Sequence, residues 1–449
     1  MPEMIPRIDE HKFYKLLCNM VRFSTRRFLI SLATLWAIFT VGFFYKQLSI
    51  NANNPFISKD TWSGLLPRNI KWSSVKYDLN DTEHLHKIFG EVNKLQYIRN
   101  QQYTLDLSDS GIVILVQVHD REKELKILVD SLRNVKDIEN TLVIFSHDLF
   151  LPNINDVIED IEFCSVMQIF FPHALQIKKN QFPADSMSDC PRDIGPETAK
   201  IVGCSNADHP DLYGHYREAK FSQMKHHWTW KINYVFNDIR LLKHFKGLVL
   251  RIDNDYYLGP DILRVMRMMN QHKIIHGLDI NKMLIMGDYE EFKNEYRHDS
   301  DMFTSGYWYT GIGRGMGFNR DLWQKISNCK NIFCTFDDYN WDWSLQKLID
   351  TCFNGLLVLK PIISRIFHVG KCHGFHRENI CSMDEVLLNI KNFLNINQQY
   401  MYPQEMVYLV KKTPVRKVSD QVGNGGWADP RDHNLCLSFF KNRFSDSNV

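Results

Sequence analysis

Hydrophobic and polar positions divide the chain into three regimes. Phe28 to Tyr45 reads FLISLATLWAIFTVGFFY, 18 residues without a charge. As a helix this is just long enough for a hydrocarbon core of ~30 Å. Residues 46–105 mix Asn, Ser, Lys and Gln with scattered aromatics and show no sustained period, which predicts a stem. Order then begins abruptly. Gly111–Val118 is a continuous apolar run of buried-strand length, Leu125, Leu128, Leu132 and Val135 follow at helical spacing, and Thr141–Phe145 and Met167–Phe171 read as two further strands. Strand, helix, strand within about 35 residues is a βαβ unit, which requires a parallel pair and a right-handed crossover.

A polar stretch, Pro172–Tyr213, predicts surface loops. Tyr216–Phe236 predicts an aromatic-rich helix, Gly247–Ile252 another buried strand, and Pro260 the first turn of the next helix. Short apolar runs at 356–359 and 362–367 are the clearest signals beyond 275. The predicted fold class is α/β with an open, mostly parallel sheet, and in such sheets ligands bind beyond the carboxyl ends of the strands.

Charge decides how the apolar stretch is read. Arg7, Lys12, Lys15, Arg22, Arg26 and Arg27 precede it against Glu3, Asp9 and Glu10, and only Lys46 follows closely. The positive-inside bias keeps residues 1–27 in the cytosol as a tail, makes 28–45 a type II signal anchor, and sends 106–449 into the lumen as one folded domain. No small-residue cleavage site follows the run, so a cleaved signal peptide fits less well. The whole chain carries 54 basic and 52 acidic side chains, a balance that excludes a polybasic nucleic-acid binder. Of ten cysteines, Cys18 is cytosolic and Cys164 sits in an apolar run. The other eight, Cys190, Cys204, Cys329, Cys334, Cys352, Cys372, Cys381 and Cys436, are an even number in a compartment that permits disulfides, so four bridges are expected. Asn80-Asp81-Thr82 is an N-glycosylation sequon.

Three clusters carry candidate chemistry. Asp253-Asn254-Asp255 ends a strand at the ligand edge and offers hard oxygen ligands for a divalent cation that bridges a carboxylate and a nucleotide diphosphate; an Asx turn ending the strand is the plainer reading. Asp337–Trp343, DDYNWDW, packs three carboxylates and three aromatics into seven residues, which suits a sugar with one carboxylate as general base. Asp338 and Asp342, four apart, also make a rival metal site. His368 follows an apolar run, His226-His227 lies on the aromatic helix, and both can be structural or ligating. QVHDR (117–121) ends the first strand at the ligand edge, where its arginine can meet phosphate.

Taken in order, QVHDR, LVIFSHD, DCPRD, GHYREAKFSQMKHHWTWK, CTFDDYNWDWSLQ, RIFHVGKC and GGWADPRDH closely resemble the N-acetylglucosaminyltransferase II family from about Ile112 to Cys436. The resemblance implies a Golgi, single-pass type II enzyme of GT-A fold with a luminal catalytic domain. It would transfer GlcNAc from UDP-GlcNAc, with inversion and with Mn²⁺, to O2 of the α1,6-arm mannose of N-glycans on glycoproteins. By the same resemblance, the metal ligands match Asp255 and His368, and the catalytic base matches Asp342. Donor-binding positions match Gln117, Val118, His119, Asp120, Arg121, Asp148, Gln223, Met224, Lys225, His226 and His227; Tyr339, Asn340 and Trp341 would hold the acceptor. The implied disulfides are Cys190–Cys204, Cys329–Cys352, Cys334–Cys436 and Cys372–Cys381. A homodimer is left open. The family's acidic triplet, Glu-Glu-Asp, stands here as Asp253-Asn254-Asp255, and residues 285–317 diverge from the family pattern. The competing readings are a luminal transferase with another acceptor and a catalytically silent Golgi glycan-binding protein.

Overall fold

The computed structural model describes residues 71–72, 75–275, 283–289, 292, 299–370, 382–409 and 422–440. The expected anchor at 28–45 and the expected Cys372–Cys381 bridge lie outside these residues. Among the described residues no helix is long and apolar enough to cross a membrane.

In chain order the elements are α1 (Thr82–Leu95), β1 (Ile98–Arg99), β2 (Ile112–Val118), α2 (Glu122–Arg133), β3 (Leu142–His147), α3 (Pro152–Glu159), β4 (Ser165–Phe170), α4 (Pro196–Val202) and α5 (Ala219–Asn237). Then come β5 (Leu248–Asp253), β6 (Tyr256–Leu258), α6 (Ile262–Ile275), β7 (Met283–Ile285), β8 (Met302–Tyr307), β9 (Met316–Phe318), α7 (Arg320–Asn328), α8 (Lys330–Thr335), α9 (Trp341–Cys352), β10 (Leu357–Pro361), β11 (Ile366–His368), α10 (Met383–Ile396), β12 (Val407–Leu409) and α11 (Pro430–Ser438).

The main sheet runs β1-β4-β3-β2-β5-β9-β7-β10-β8-β12. Its β4-β3-β2-β5 block is wholly parallel, with α2, α3 and α5 as crossovers. Both faces are covered, which is why β2 is apolar along its length except for Gln117 near its carboxyl end. Val113 and Leu115 pack with Val249 beneath α5 residues Trp228 and Ile232. Ile112, Ile114 and Val116 pack on the other face against Leu125, Leu128 and Leu132 of α2 and Ile262 and Met266 of α6. Beyond β5 the sheet turns mixed, with β9 antiparallel to both β5 and β7. The expected mostly parallel α/β sheet is therefore present, with its parallel pairing concentrated where the first two βαβ crossovers lie.

The stem expectation needs correction at its C-terminal end. Within 46–105, α1 buries Leu85, Ile88, Phe89 and Val92 at helical spacing, and Asp81 caps its first turn by accepting the His84 N–H at 2.9 Å. Phe89 lies 4.8 Å from the Phe170 ring of β4, and β1 pairs antiparallel with β4. The folded domain thus starts well before residue 106. One narrow apolar stripe among charged neighbours carries the helix, too thin to stand out as a period. The polar stretch 172–213 is mostly irregular, as expected, apart from α4 and a 3-10 turn at Leu175–Ile177. Asn80 is exposed just before α1.

Three of the four implied disulfides are present: Cys190–Cys204, Cys329–Cys352 and Cys334–Cys436. The last closes 102 residues and ties α8 to α11. Cys164 is free and buried, and burial pushes its thiol up to about 12, so it stays an unreactive thiol.

Candidate active site

Parallel pairing delivers the candidate residues to one edge. Gln117 of β2 lies in register with Ser146 of β3 and Asp253 of β5, so the segments that follow these strands, carrying His119, Arg121, Asp148 and Asp255, emerge together. The two-stranded ribbon of β6 and β11 completes the group, because Tyr256 pairs with His368 and so brings that histidine beside Asp255.

Asp255 is the hub. Its Oδ2 accepts from Arg121 Nη1 at 2.5 Å and lies 3.2 Å from His368 Nε2. Burial opposes ionisation of Asp255, but His368 and Arg121 outweigh it and hold the carboxyl below its ordinary range. Gly370 fits against this hub because a Cβ there would come within 2.4 Å of Asp255 Oδ2. Asn254 serves the turn: its N–H donates to the Gln117 carbonyl at 3.1 Å, and its side chain lies 3.4 Å from the Arg121 carbonyl. A carboxylate at the middle position is not required for that role. Asp253 turns away and is held by Arg251 at 2.5 Å.

Beside the hub, His119 Nδ1 and Asp148 Oδ1 are 2.6 Å apart, while Asp148 Oδ2 lies 3.5 Å from His227 Nδ1 and His227 Nε2 meets Ser146 Oγ at 2.8 Å. Partial burial works against a charged His119, yet the hydrogen bond and charge of Asp148 prevail and push it up to about 9. Full burial instead pulls His227 down to about 4. The site therefore presents a half-exposed imidazolium at neutral pH. In Asp148→Asn the His119 ring is expected to titrate at or below 6.5, since burial remains and the counter-charge is gone; an NMR titration of the ring that stays near 9 would contradict this.

The rest of the α5 segment is buried machinery. Gln223 Oε1 accepts the Leu175 N–H at 2.7 Å, and Met224 is half-buried. Lys225 Nζ donates to the Asp338 carbonyl at 2.9 Å, and His226 Nε2 meets Asp432 Oδ1 at 2.8 Å. Of the QVHDR residues, Val118 is core and Asp120 is exposed.

In the acidic segment the three carboxylates separate. Asp337 accepts the Leu212 and Trp427 N–H groups at 2.8 and 2.9 Å. Asp338 is wholly buried, with Oδ1 accepting from Asn340 N–H and Nδ2 at 2.8 and 3.0 Å and Oδ2 from Asn424 N–H and Nδ2 at 2.9 and 2.8 Å. Its lone pairs are spent, which removes the rival Asp338–Asp342 metal site. Asp342, in the first turn of α9, accepts the Trp343 N–H at 2.9 Å and, among the described residues, meets no side-chain donor, and burial aided by the Asp338 charge pushes it up to about 6. A carboxylate of that pKa is suited to take a proton near neutral pH.

Tyr339 stacks at 5.1 Å on Phe221 and lines a cavity of about 480 Å³ with Arg192, Asp211, Glu218 and Asn424. Asn340 is tied to Asp338, and the Trp341 ring stacks on Trp228 at 4.8 Å with the planes 6° apart. Among the described residues no cluster of three or more His, Cys, Asp or Glu side chains is placed to hold a metal. The Asp255–His368 pair offers one carboxylate and one imidazole, a donor set that fits a cation taking its remaining ligands from water and phosphate. Sequence reasoning missed Arg251, Lys231, Asn424 and Asp432; a lone arginine inside the apolar strand LVLRI was the only local signal.

The family N-acetylglucosaminyltransferase II (MGAT2) matches residues 86–436. The alpha-1,6-mannosyl-glycoprotein 2-beta-N-acetylglucosaminyltransferase of Mus musculus is 39% identical over 363 residues, 80% of this chain and 81% of that one. The protein of the same name from Arabidopsis thaliana is 30% identical over 353 residues, 76% of this chain and 77% of that one. Among solved structures, S. aureus TarS aligns over 65% of this chain and 44% of that chain at 10% identity and a TM-score of 0.29.

Proposed function

This chain belongs to the N-acetylglucosaminyltransferase II family, and on that premise we propose that it transfers GlcNAc from UDP-GlcNAc to O2 of the α1,6-arm mannose of N-glycans, inverting the anomeric centre on a GT-A-type scaffold. One observation supports the mechanism above the others: of the three carboxylates in DDYNWDW, Asp342 is the one that, among the described residues, meets no donor beyond its own helix turn, with its pKa at about 6. A single in-line displacement at C1 needs one base, not a pair of closely spaced carboxylates.

In this reading Asp342 accepts the O2 proton as the mannose hydroxyl attacks C1, and the C1–O bond to UDP breaks. Tyr339 and the cavity beside it receive the acceptor, its aromatic rings facing sugar CH groups and its charged rim meeting hydroxyls. Arg121 and the His119 imidazolium present positive charge at the donor edge. Asp255 and His368 would hold Mn²⁺, which when bound neutralises the diphosphate of the leaving group. Asp255→Asn and His368→Ala are expected to lose the metal-dependent part of UDP affinity by about 10- to 100-fold or more, the scale of losses at metal-site partners. Calorimetry of UDP binding with and without Mn²⁺ checks this, and equal UDP affinity with and without the ion in the parent chain would exclude the metal role.

The proposed setting is the Golgi membrane, with one type II anchor at 28–45 and the catalytic domain luminal. The charge asymmetry around the anchor supports it, as do three disulfides, which suit an oxidising compartment. The test uses the full chain, made in a secretory host and solubilised in detergent. Transfer from UDP-GlcNAc to an N-glycan already carrying GlcNAc on its α1,3 arm is followed by linkage analysis of the product. Product at O2 of the α1,6-arm mannose is expected; transfer to any other position would overturn the acceptor assignment.

A further inference from the structure

Arg251 lies in the interior of β5, in the centre of the sheet and 2% exposed. A buried cation there is expensive, and an apolar side chain of similar size would serve the core as well or better. Yet Arg251 meets three elements of the site. Its Nη2 is 2.5 Å from Asp253 Oδ1 and 3.4 Å from Gln117 Oε1, and its guanidinium lies 4.9 Å from the centre of the Trp341 ring. Gln117 Oε1 also accepts from Lys231 of α5, another fully buried basic side chain, whose pKa burial and the Arg251 charge lower. Trp341 opens α9 next to Asp342 and is stacked on Trp228 of α5.

We propose that Arg251 is a positioning residue for the transfer, its guanidinium fixing the donor-side pair Gln117 and Asp253 and the first residue of the base-carrying helix in one geometry. The proposal rests on the function proposed above. A guanidinium is the right device, because the two N–H groups of its Nη2 can serve Gln117 and Asp253 in its plane while its face lies over an indole. Arg251 touches neither the metal ligands nor the base, so its effect reaches the reaction through Gln117 and Asp253 on the donor side and through Trp341, one of the residues assigned to the acceptor.

Its charge has a second consequence. Burial and the Asp338 carboxylate raise Asp342, whereas the Trp343 N–H and the Arg251 charge lower it. Removing that charge therefore raises Asp342 further. A purely structural arginine would not move this quantity in a protein that still folds.

The experiment compares Arg251→Met and Arg251→Lys with the parent in the full, solubilised chain, reading kcat and the KM for UDP-GlcNAc across pH 5–9 together with Tm. Arg251→Met is expected to move the acid limb of kcat/KM upward by about half a unit to one unit and to lower kcat at least about tenfold. Arg251→Lys keeps the charge and loses the planar group that faces Trp341. It is expected to leave the acid limb in place while kcat falls about fivefold or more. A folded Arg251→Met whose limb overlays the parent's and whose kcat lies within about threefold overturns the proposal. Should Arg251→Met fail to fold, Arg251→Lys decides, and parental kcat and KM in that variant overturn it. Absence of any GlcNAc turnover in the parent chain would instead refute the functional reading, and this inference with it.

Discussion

Asp342→Asn is expected to lower kcat by about 10²- to 10⁴-fold, the usual contribution of a positioned general base, with UDP affinity retained. Asp337 and Asp338 each have both oxygens committed to backbone or amide donors, whereas Asp342, at the start of α9, meets only backbone N–H of its own turn among the described residues. Because burial pushes it up to about 6, the parent's kcat/KM should fall as pH drops through about 6, where the carboxyl takes up its proton and can no longer accept one. That acid limb should be absent from the residual activity of Asp342→Asn.

Stability moves the other way. A carboxyl whose folded pKa is raised stabilises the fold below its unfolded pKa and loses that contribution as pH rises through about 6. At pH 7.5 the neutral amide should therefore leave Tm equal or higher. A dead enzyme with a preserved or raised Tm is the signature of lost chemistry. Turnover within about fivefold of the parent would remove Asp342 from the mechanism.

Periodicity recovered the elements whose burial is uniform along the chain. Gly111–Val118 is apolar because helices cover both faces of β2, and the α5 aromatics sit at the layer between the sheet and α9. Elements whose stability comes from distant partners were not legible. The α1 helix shows one thin stripe, and β6, β7, β9 and β12 are three residues long, too short to carry a period. The site divides in the same way. That Asp255 ends a strand could be read locally. That His368 stands beside it depends on the pairing of β6 with β11, 113 residues away. The sequence offered three equivalent acids at 337, 338 and 342. Asn424, 86 residues from Asp338, is what spends one of them. The family resemblance supplied assignments that local patterning could not, but it grouped Lys225 and His226 with the donor site without showing that their side chains are occupied inside the protein.

His226 leads to the largest expected loss of stability. Asp432 of α11 is wholly buried, receives Arg217 Nε at 2.7 Å and Nη2 at 3.2 Å, and lies 2.8 Å from His226 Nε2. Arg217 is itself only 5% exposed, and its Nη2 also donates to the Pro183 carbonyl at 2.8 Å. Asp432→Ala would strand that guanidinium in the interior, with Asp185 and Asp189 both 3.9 Å from Nη1. Breaking a buried pair by removing one partner costs about 3–5 kcal/mol, which with an unfolding entropy of about 2.1 cal/mol/K per residue over roughly 370 residues is a fall in Tm of about 4–6 °C. By contrast, Glu83→Ala, which removes the exposed pair with Lys87, should change Tm by little, since exposed pairs are worth about 0–1 kcal/mol. Acid should act in the same direction as the mutation. Burial alone would raise the Asp432 carboxyl, but His226 and Arg217 overcome it and hold it low, so its contribution is present above about 3.8 and disappears as pH falls through the folded value. His226, lowered chiefly by burial, likewise favours the unfolded chain once pH drops below 6.5. Thermal unfolding of Asp432→Ala, Asp432→Asn and Glu83→Ala at pH 7.5 and pH 5 separates these contributions. Asp432→Asn should fall between the parent and Asp432→Ala, keeping a hydrogen bond and losing the charge. A Tm for Asp432→Ala within about 2 °C of the parent would mean that Arg217 finds another carboxylate, and that the two neighbouring aspartates carry the charge Asp432 is assigned here.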